Sequence, residues 1–429
     1  MKRVLVITYY WPPSGSVGTH RWLKMCKHLP QHGWQPVVYT PSNPEMPSVD
    51  KSLLRDVSPG LEVIKRPIRE PFSLYKRFTG RPRDARLQTA FLNEQGGGGW
   101  KEALALWVRS NFFIPDARVW WARPSIAHLT RYLKDHPVDA IVTTGSPHSL
   151  HLIGRALKRR TGIPWLADFR DPWTNIDFYG QLKLTRWADA RHRALERAVL
   201  READAVLTVS WHWAEELRAL GARDPQVITN GFDPDDLPQP PAPVDERWSL
   251  VHVGSITSTR DVPALWRALA ARSARDAEFR ERFVLRLVGG VDHRALESIN
   301  KAGLAGHVER IGQVEHAEAL RQMQRARALL LPVNDTPNVM GFLPAKAFEY
   351  LSVGRPILAI APRGADIERV CAGHTVVPRD DEHAMKEAVD TLFSPHAQAP
   401  PPPHHYTRAS LAKQLAQLLN GLEPVRRHD

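Results

Sequence analysis

Short apolar runs alternate with amphipathic stretches along most of the chain, and that alternation sets the expected elements. KRVLVITYYW opens as a buried strand; a helical run over residues 22–32 follows and Gly33 stops it. QPVVYTP, VDAIVTTGSP (138–147), IPWLADFRDPW (163–173) and ADAVLTVS read as further strands. The helices HLIGRALKRRTG, 181–202 and HWAEELRALG fall between and after them. Residues 45–135 are less regular, with GGGG at 96–99 and then the amphipathic stretch WKEALALWVRSNFFIPDARVWW. Beyond the proline-rich PDDLPQPPAPVDER the alternation restarts: WSLVHVGSI, FVLRLVGG, VERIGQV and RALLLPV are strands separated by helices. GFLPAKAFEYLSVG is a short helix bracketed by Pro344 and Gly354, followed by the buried strand of residues 356–360.

Strands alternating with helices in both halves predict two doubly wound, mostly parallel α/β sheets. A chain of 429 residues also exceeds one ordinary core. The expected organisation is a first domain over 1–236, a linker over 237–247 and a second domain over 248–395. A proline-rich tether (396–406) then leads to a terminal helix (407–422) expected to pack back on the first domain.

Composition adds limits. A hydrophobic content of 43% and a charged content of 24% are those of a globular protein. The apolar N-terminal run is too short for a signal peptide and meets Trp-Pro-Pro, and no apolar run reaches the length of a membrane span. Cys26 and Cys371 lie far apart and read as free thiols of a reducing cytoplasm. The net charge of +12 fits nucleic acid, an anionic membrane face or a phosphate-bearing substrate, and equally an arginine-rich solvated surface. No helix-turn-helix, zinc-finger spacing or RNP-like motif supports nucleic acid. Trp100, Trp107, Trp120 and Trp121 suggest docking on an anionic inner-membrane face, with core tryptophans as the competing reading.

Candidate chemistry gathers where strands end, the edge at which open α/β sheets bind ligands. PPSGSVGTHR, with Gly15 and Ser16, offers backbone N–H groups to a phosphate, although it is neither a Walker motif nor GxGxxG. TTGSPHSLH places His148 and His151 after one strand, and ADFRDPW places Asp168, Arg170 and Asp171 after another. An ion-paired corner of the structure explains the second group as well. VHVGSITSTR brings Gly254, Ser255 and Arg260 into a plausible diphosphate cradle; a capping Thr259 and a solvated arginine are the alternative. Lys346 and Glu349 stand three apart on an otherwise apolar helix. They suit a phosphate and a ribose diol respectively, or simply a surface ion pair. Asp233, Asp235 and Asp236 form a DxD-like string better explained by turn chemistry, and no metal site is expected.

In this order the motifs resemble retaining glycosyltransferases of family 4, with GT-B architecture: two facing Rossmann-like domains around a cleft. ITYYWPPSGSVGTHRW, ITNGFD (228–233), LVHVGSITSTRDVPALWRAL, LRLVGG, VERIGQVEHAEALRQM and GFLPAKAFEYLSVGRPILA carry the resemblance over nearly the whole length. The PxKxxEY…GxPI form and the ADFRDPW-like strand end are similar to a subgroup that builds polysaccharides and lipid-linked sugars. The resemblance implies a nucleoside-diphosphate sugar donor whose ribose Glu349 holds, with Arg260 at the place of the diphosphate lysine. Gly254, Val314, Asn338 and the backbone of Gly341, Phe342 and Leu343 are implied donor contacts. Two departures stand out. Ser255 replaces the usual arginine, and Gly341 stands where the first glutamate of a Glu-x7-Glu pair is common. The expected chemistry is metal-independent transfer with retention, in which Arg260 and Lys346 stabilise the leaving diphosphate. His148, His151, Arg170 and Asp171 would orient sugar and acceptor, the acceptor being a glycan or a lipid-linked precursor. A nucleotide-sugar epimerase or hydrolase of the same architecture, or a non-catalytic nucleotide-sugar-binding subunit, are the alternatives.

Overall fold

The structure, a computed structural model, describes residues 1–46, 48–70, 100–394 and 396–422. The GGGG at 96–99 and the side chain of Trp100 lie outside the described residues. Two compact units are present, Met1–Thr229 with Arg408–Asp429, and Asn230–Thr407.

Among the described residues unit 1 holds seven parallel strands: β1 (Lys2–Ile7), β2 (Trp34–Pro41), β3 (Glu62–Arg66), β4 (Ala140–Gly145), β5 (Trp165–Phe169), β6 (Ala205–Thr208) and β7 (Gln226–Val227). Their order is β3-β2-β1-β4-β5-β6-β7. Strand alternation sends Val4 and Val6 to one face and Leu5 and Ile7 to the other. The first face packs on the helix Val17–His28 and on the chain-terminal helix Arg408–Asn420, whose Leu411, Leu415 and Leu419 share a core with Trp22 and Leu23. The second packs on the helices Val119–Asp135 and Ser149–Thr161. Trp121 belongs there: it is buried and stacked on Tyr39 at 4.9 Å, a core residue rather than a surface anchor.

Unit 2 holds β8 (Trp248–Val253), β9 (Phe283–Val288), β10 (Val308–Gly312), β11 (Ala328–Pro332), β12 (Ile357–Ile360) and β13 (Thr375–Val377), in the order β10-β9-β8-β11-β12-β13. Both sheets therefore reverse direction beside their first strand, between β1 and β4 and between β8 and β11. Such switch points open a crevice at the carboxyl ends of the strands. Leu250, Leu285, Leu330 and Leu358 pack one face against Trp266, Leu269, Phe279 and Met385. The proline-rich segment is bound to this unit: Gln324 exchanges hydrogen bonds with Ala242 N–H and Pro238 O, and Asp245 pairs with Arg286 and Arg325. Asp233 caps the turn Pro234–Asp236 by accepting from Asp235 N–H, so the DxD-like string is turn chemistry.

Candidate active site

In unit 2 the crevice is built from the ends of β8 and β11 and from the helix Ala345–Ser352. Pro344 stands at the N-cap of that helix, and Gly354, at φ +63°, lies just past its end. Ala347, Phe348, Tyr350 and Leu351 bury one side of the helix. The Tyr350 hydroxyl accepts the Val253 N–H at 2.8 Å and ties the helix to the end of β8. Lys346 and Glu349 then diverge. Lys346 Nζ reaches His252 Nε2 at 3.4 Å, while Glu349 meets His316 at 3.9 Å.

His252 is fully buried in β8. Its Nδ1 lies 2.9 Å from the Leu330 carbonyl, which can only accept, so the proton sits on Nδ1 and Nε2 presents a lone pair to the ammonium. Burial, then the neighbouring Lys346 charge, holds this imidazole neutral, well below the ordinary histidine range. Burial and the Arg260 charge also push Lys346 down to about 7, against a smaller opposing effect of Glu349. Gly254, at φ +112°, makes room for it: a Cβ there would lie 2.5 Å from Lys346 Nζ. Arg260 donates from Nε to Asn334 Oδ1 at 2.6 Å and from Nη1 to the Ser255 carbonyl at 2.8 Å. Arg379 fixes the loop that carries Arg260 by donating to the carbonyls of Thr259, Asp261 and Val333. Thr259 lies in the turn Ser258–Arg260 and does not cap the next helix, whose N-cap is Val262.

Asn338, buried, accepts from the Thr336 hydroxyl at 3.0 Å and opens the turn Val339–Gly341. Gly341 and Leu343 are buried and Phe342 half-buried. The Phe342 N–H is donated to Val339 O, which removes it from the amides expected to meet a phosphate. Val314 lies half-buried in the turn that delivers His316 to Glu349.

In unit 1 a second constellation stands at the ends of β4 and β5. The Arg170 guanidinium pairs with Asp171 at 3.0 Å and donates to the Ser146 carbonyl at 2.9 Å. It passes so close to the start of the first helix that a Cβ on Gly18 would lie 1.9 Å from Nη1. His148 stacks on Trp173 at 5.0 Å and lines a cavity of about 170 Å³. Burial, partly offset by Asp116 and Asp171, pushes this imidazole down to about 4. Behind it His151 is fully buried, 2.8 Å from the Thr143 hydroxyl and stacked on Phe169. His151 has no solvent exposure in this structure, and its ring centroid lies 5.7 Å from that of His148. Gly15 and Ser16 lie in the loop before the first helix, where Gly15 N–H bonds Ser48 O and Ser16 Oγ meets Thr19 Oγ1 at 3.0 Å. Asp168 is structural: unexposed, it accepts from Arg21, from Trp22 Nε1 at 2.7 Å and from Thr144 at 2.9 Å.

The expected residues thus form two groups, one per unit. Sequence reasoning missed His252, Asn334, His316, Asp116 and Gly18. Only His252 left a readable trace, a polar residue inside the apolar strand that runs into Gly254-Ser255. Among the described residues no three His, Cys, Asp or Glu side chains could hold a metal ion together, and no helix is long and apolar enough to cross a membrane.

Residues 18–231 match the family model of the glycosyl transferase 4-like domain. Taken with two parallel-sheet units, the match supports a glycosyltransferase of GT-B type. Solved structures share the fold at low identity. Sucrose-phosphate synthase from Thermosynechococcus elongatus superposes with a TM-score of 0.57 at 16% identity, over 98% of this chain and 95% of that one. An alpha,alpha-trehalose-phosphate synthase (UDP-forming) from Burkholderia xenovorans gives 0.58 at 14%, over 98% and 100%. A glycosyltransferase from Rickettsia africae gives 0.56 at 13%, over 97% and 93%. No curated protein matches the chain by sequence.

Proposed function

We propose that the chain moves a glycosyl unit from a nucleoside-diphosphate sugar to an acceptor hydroxyl with retention at the anomeric carbon. One observation carries the reading: an ammonium group held against a neutral imidazole, beside a guanidinium, at the switch point of unit 2. Two neighbouring cations in a partly desolvated crevice call for an anion, and a diphosphate supplies it. In this reading Glu349, one helical turn from Lys346, accepts hydrogen bonds from a ribose diol. A neighbour of the same fold is described as bound with UDP-2-fluoro glucose, and another as UDP-forming, which supports a nucleotide-sugar donor here.

In the proposed step the bond between the anomeric carbon and the diphosphate oxygen breaks, and its electron pair leaves with the diphosphate. Arg260 and Lys346 stabilise that charge as it develops. The acceptor oxygen bonds to the same face of the anomeric carbon, and its proton passes to the departing phosphate oxygen. No metal has a part in this scheme. The acceptor is a glycan or lipid-linked precursor, oriented through His148, Arg170 and Asp171.

Incubation with a panel of nucleotide sugars and candidate acceptors tests the reading, with the anomeric configuration of the product read by NMR. Release of nucleoside diphosphate that depends on acceptor, giving a product of unchanged configuration, is expected. Full turnover without acceptor means a hydrolase or epimerase. The buried Gly341, in place of a glutamate, favours a second reading: binding of the nucleotide sugar with no release under any acceptor.

A further inference from the structure

The helix Trp100–Phe112 presents an apolar stripe in an unusual direction. Leu104, Trp107, Val108 and Phe112 follow helical i, i+3, i+4, i+8 spacing, which normally marks the face turned to a core. Here all four are exposed, Phe112 by 67%. Two neighbouring helix starts extend the face. Trp120, 54% exposed, contacts Phe113 at 4.8 Å, and Trp107 meets Phe112 edge-on at 5.9 Å. Asn111 accepts the Thr185 N–H at 2.7 Å and so anchors the start of the helix Arg186–Glu202, where Trp187 is 66% exposed. Six of the eleven exposed large hydrophobic side chains among the described residues gather on these three segments.

Exposed cations accompany the aromatic side chains on these segments and on the loop before Arg186. Arg123, Lys183, Arg186 and Arg191 are exposed, and the nearby Asp189 is neutralised by Arg193 at 3.0 Å. Aromatic side chains ringed by cations match the interface of an anionic bilayer, where indoles sit at headgroup depth and each cation meets a lipid phosphate.

The face is continuous with the cavity at the carboxyl edge of β4. Leu106, from the helix bearing the stripe, and Phe113, just past its end, line it with Trp173, Ile176, Phe178 and Leu182. At about 170 Å³ it is close to the size of an apolar cavity that holds benzene, enough for a short run of hydrocarbon. Its exposed lining is chiefly hydrocarbon, which suits an alkyl chain. Arg109, Ser110, Asp116, Ser146 and His148 add polar groups to the same wall, where a lipid's head would lie.

We propose that the aromatic face of the segments around Trp107, Trp120 and Trp187 seats on the surface of an anionic lipid bilayer, and that the adjoining cavity takes the apolar part of a lipid-borne acceptor. The second half rests on the sugar-transfer reading; the first does not.

Flotation with vesicles tests the face. The native protein is expected to float with phosphatidylcholine vesicles containing about one-third phosphatidylglycerol, to float poorly with phosphatidylcholine alone, and to be released by salt. The exposed triple variant W107S/F112S/W187S should lower the bound fraction roughly tenfold or more at an unchanged melting temperature. Should that variant not fold, R186Q/R191Q is expected to weaken flotation on the anionic vesicles alone. Equal flotation of native and variant proteins, or none for the native, overturns the docking face. For the cavity, hexyl glucoside below its micellar range should raise the melting temperature where glucose does not, and Leu106→Trp should abolish the rise. No response to hexyl glucoside overturns the cavity assignment. Nucleotide-induced stabilisation in the same samples shows separately whether the donor reading stands.

Discussion

Lys346 Nζ lies 3.4 Å from His252 Nε2, an imidazole nitrogen that the Nδ1–H bond to Leu330 O leaves with only a lone pair to offer. The ammonium therefore faces a neutral partner that does not balance its charge.

Burial and Arg260 bring Lys346 down to about 7, from an ordinary 10.5. Nucleoside diphosphate binding should restore the proton, so the complex takes up protons above pH 7 and affinity falls as pH rises through that value. Calorimetry in buffers of different ionisation enthalpy measures the uptake. Lys346→Met should remove it and weaken binding about ten- to hundredfold, the scale of a lost charge-assisted contact. Stability carries the matching sign. Between about 7 and 10.5 the native state binds fewer protons than the unfolded chain, so this group adds stability as pH rises across that window, and the substitution flattens the slope.

Gly254→Ala places a methyl group 2.5 Å from Lys346 Nζ and forces a side chain onto φ +112°. The backbone strain should cost about 1–3 kcal/mol, read as a lower melting temperature. Displacement of the ammonium should weaken diphosphate binding beyond what that destabilisation explains.

Asp168→Asn leaves the Arg21 guanidinium without its anion in a site with no solvent exposure at either partner. Breaking a buried pair on one side costs about 3–5 kcal/mol. Denaturant unfolding should show that loss, while nucleotide affinity of the folded fraction stays unchanged because Asp168 belongs to unit 1.

His148, lowered to about 4 by burial, stays neutral in the native state while the unfolded residue titrates near 6.5. Its contribution to stability is therefore present above 6.5 and lost as pH falls toward 4. His148→Gln should reduce the acid sensitivity of the melting temperature over that interval.

Both doubly wound sheets were legible because parallel strands buried on two faces leave apolar runs such as VLVI and ALLLP. The helix of Lys346 and Glu349 was legible from its bracketing Pro344 and Gly354. The division of labour between its two charges was not, since it depends on His252 and His316, remote in sequence and placed by β8 and by the turn after β10. Asp168 shows the converse. Its position at a strand end fits a ligand group as well as an ion-paired corner, and only Arg21, 147 residues away, decides for the corner. His151 follows the same rule: three residues from His148, it differs only in facing the core. The Trp120-Trp121 pair is likewise split by helix geometry, one exposed and one stacked on Tyr39.

In the proposed function unit 2 grips a sugar nucleotide through Lys346, Arg260 and Glu349. Thermal shift across uridine, guanosine, adenosine and thymidine diphosphates and their sugars tests it most directly, on the native protein and on Glu349→Ala. At least one nucleotide should raise the native melting temperature, and the substitution should remove most of the rise. Indifference of the native protein to every nucleotide, or an undiminished rise in Glu349→Ala, would contradict it.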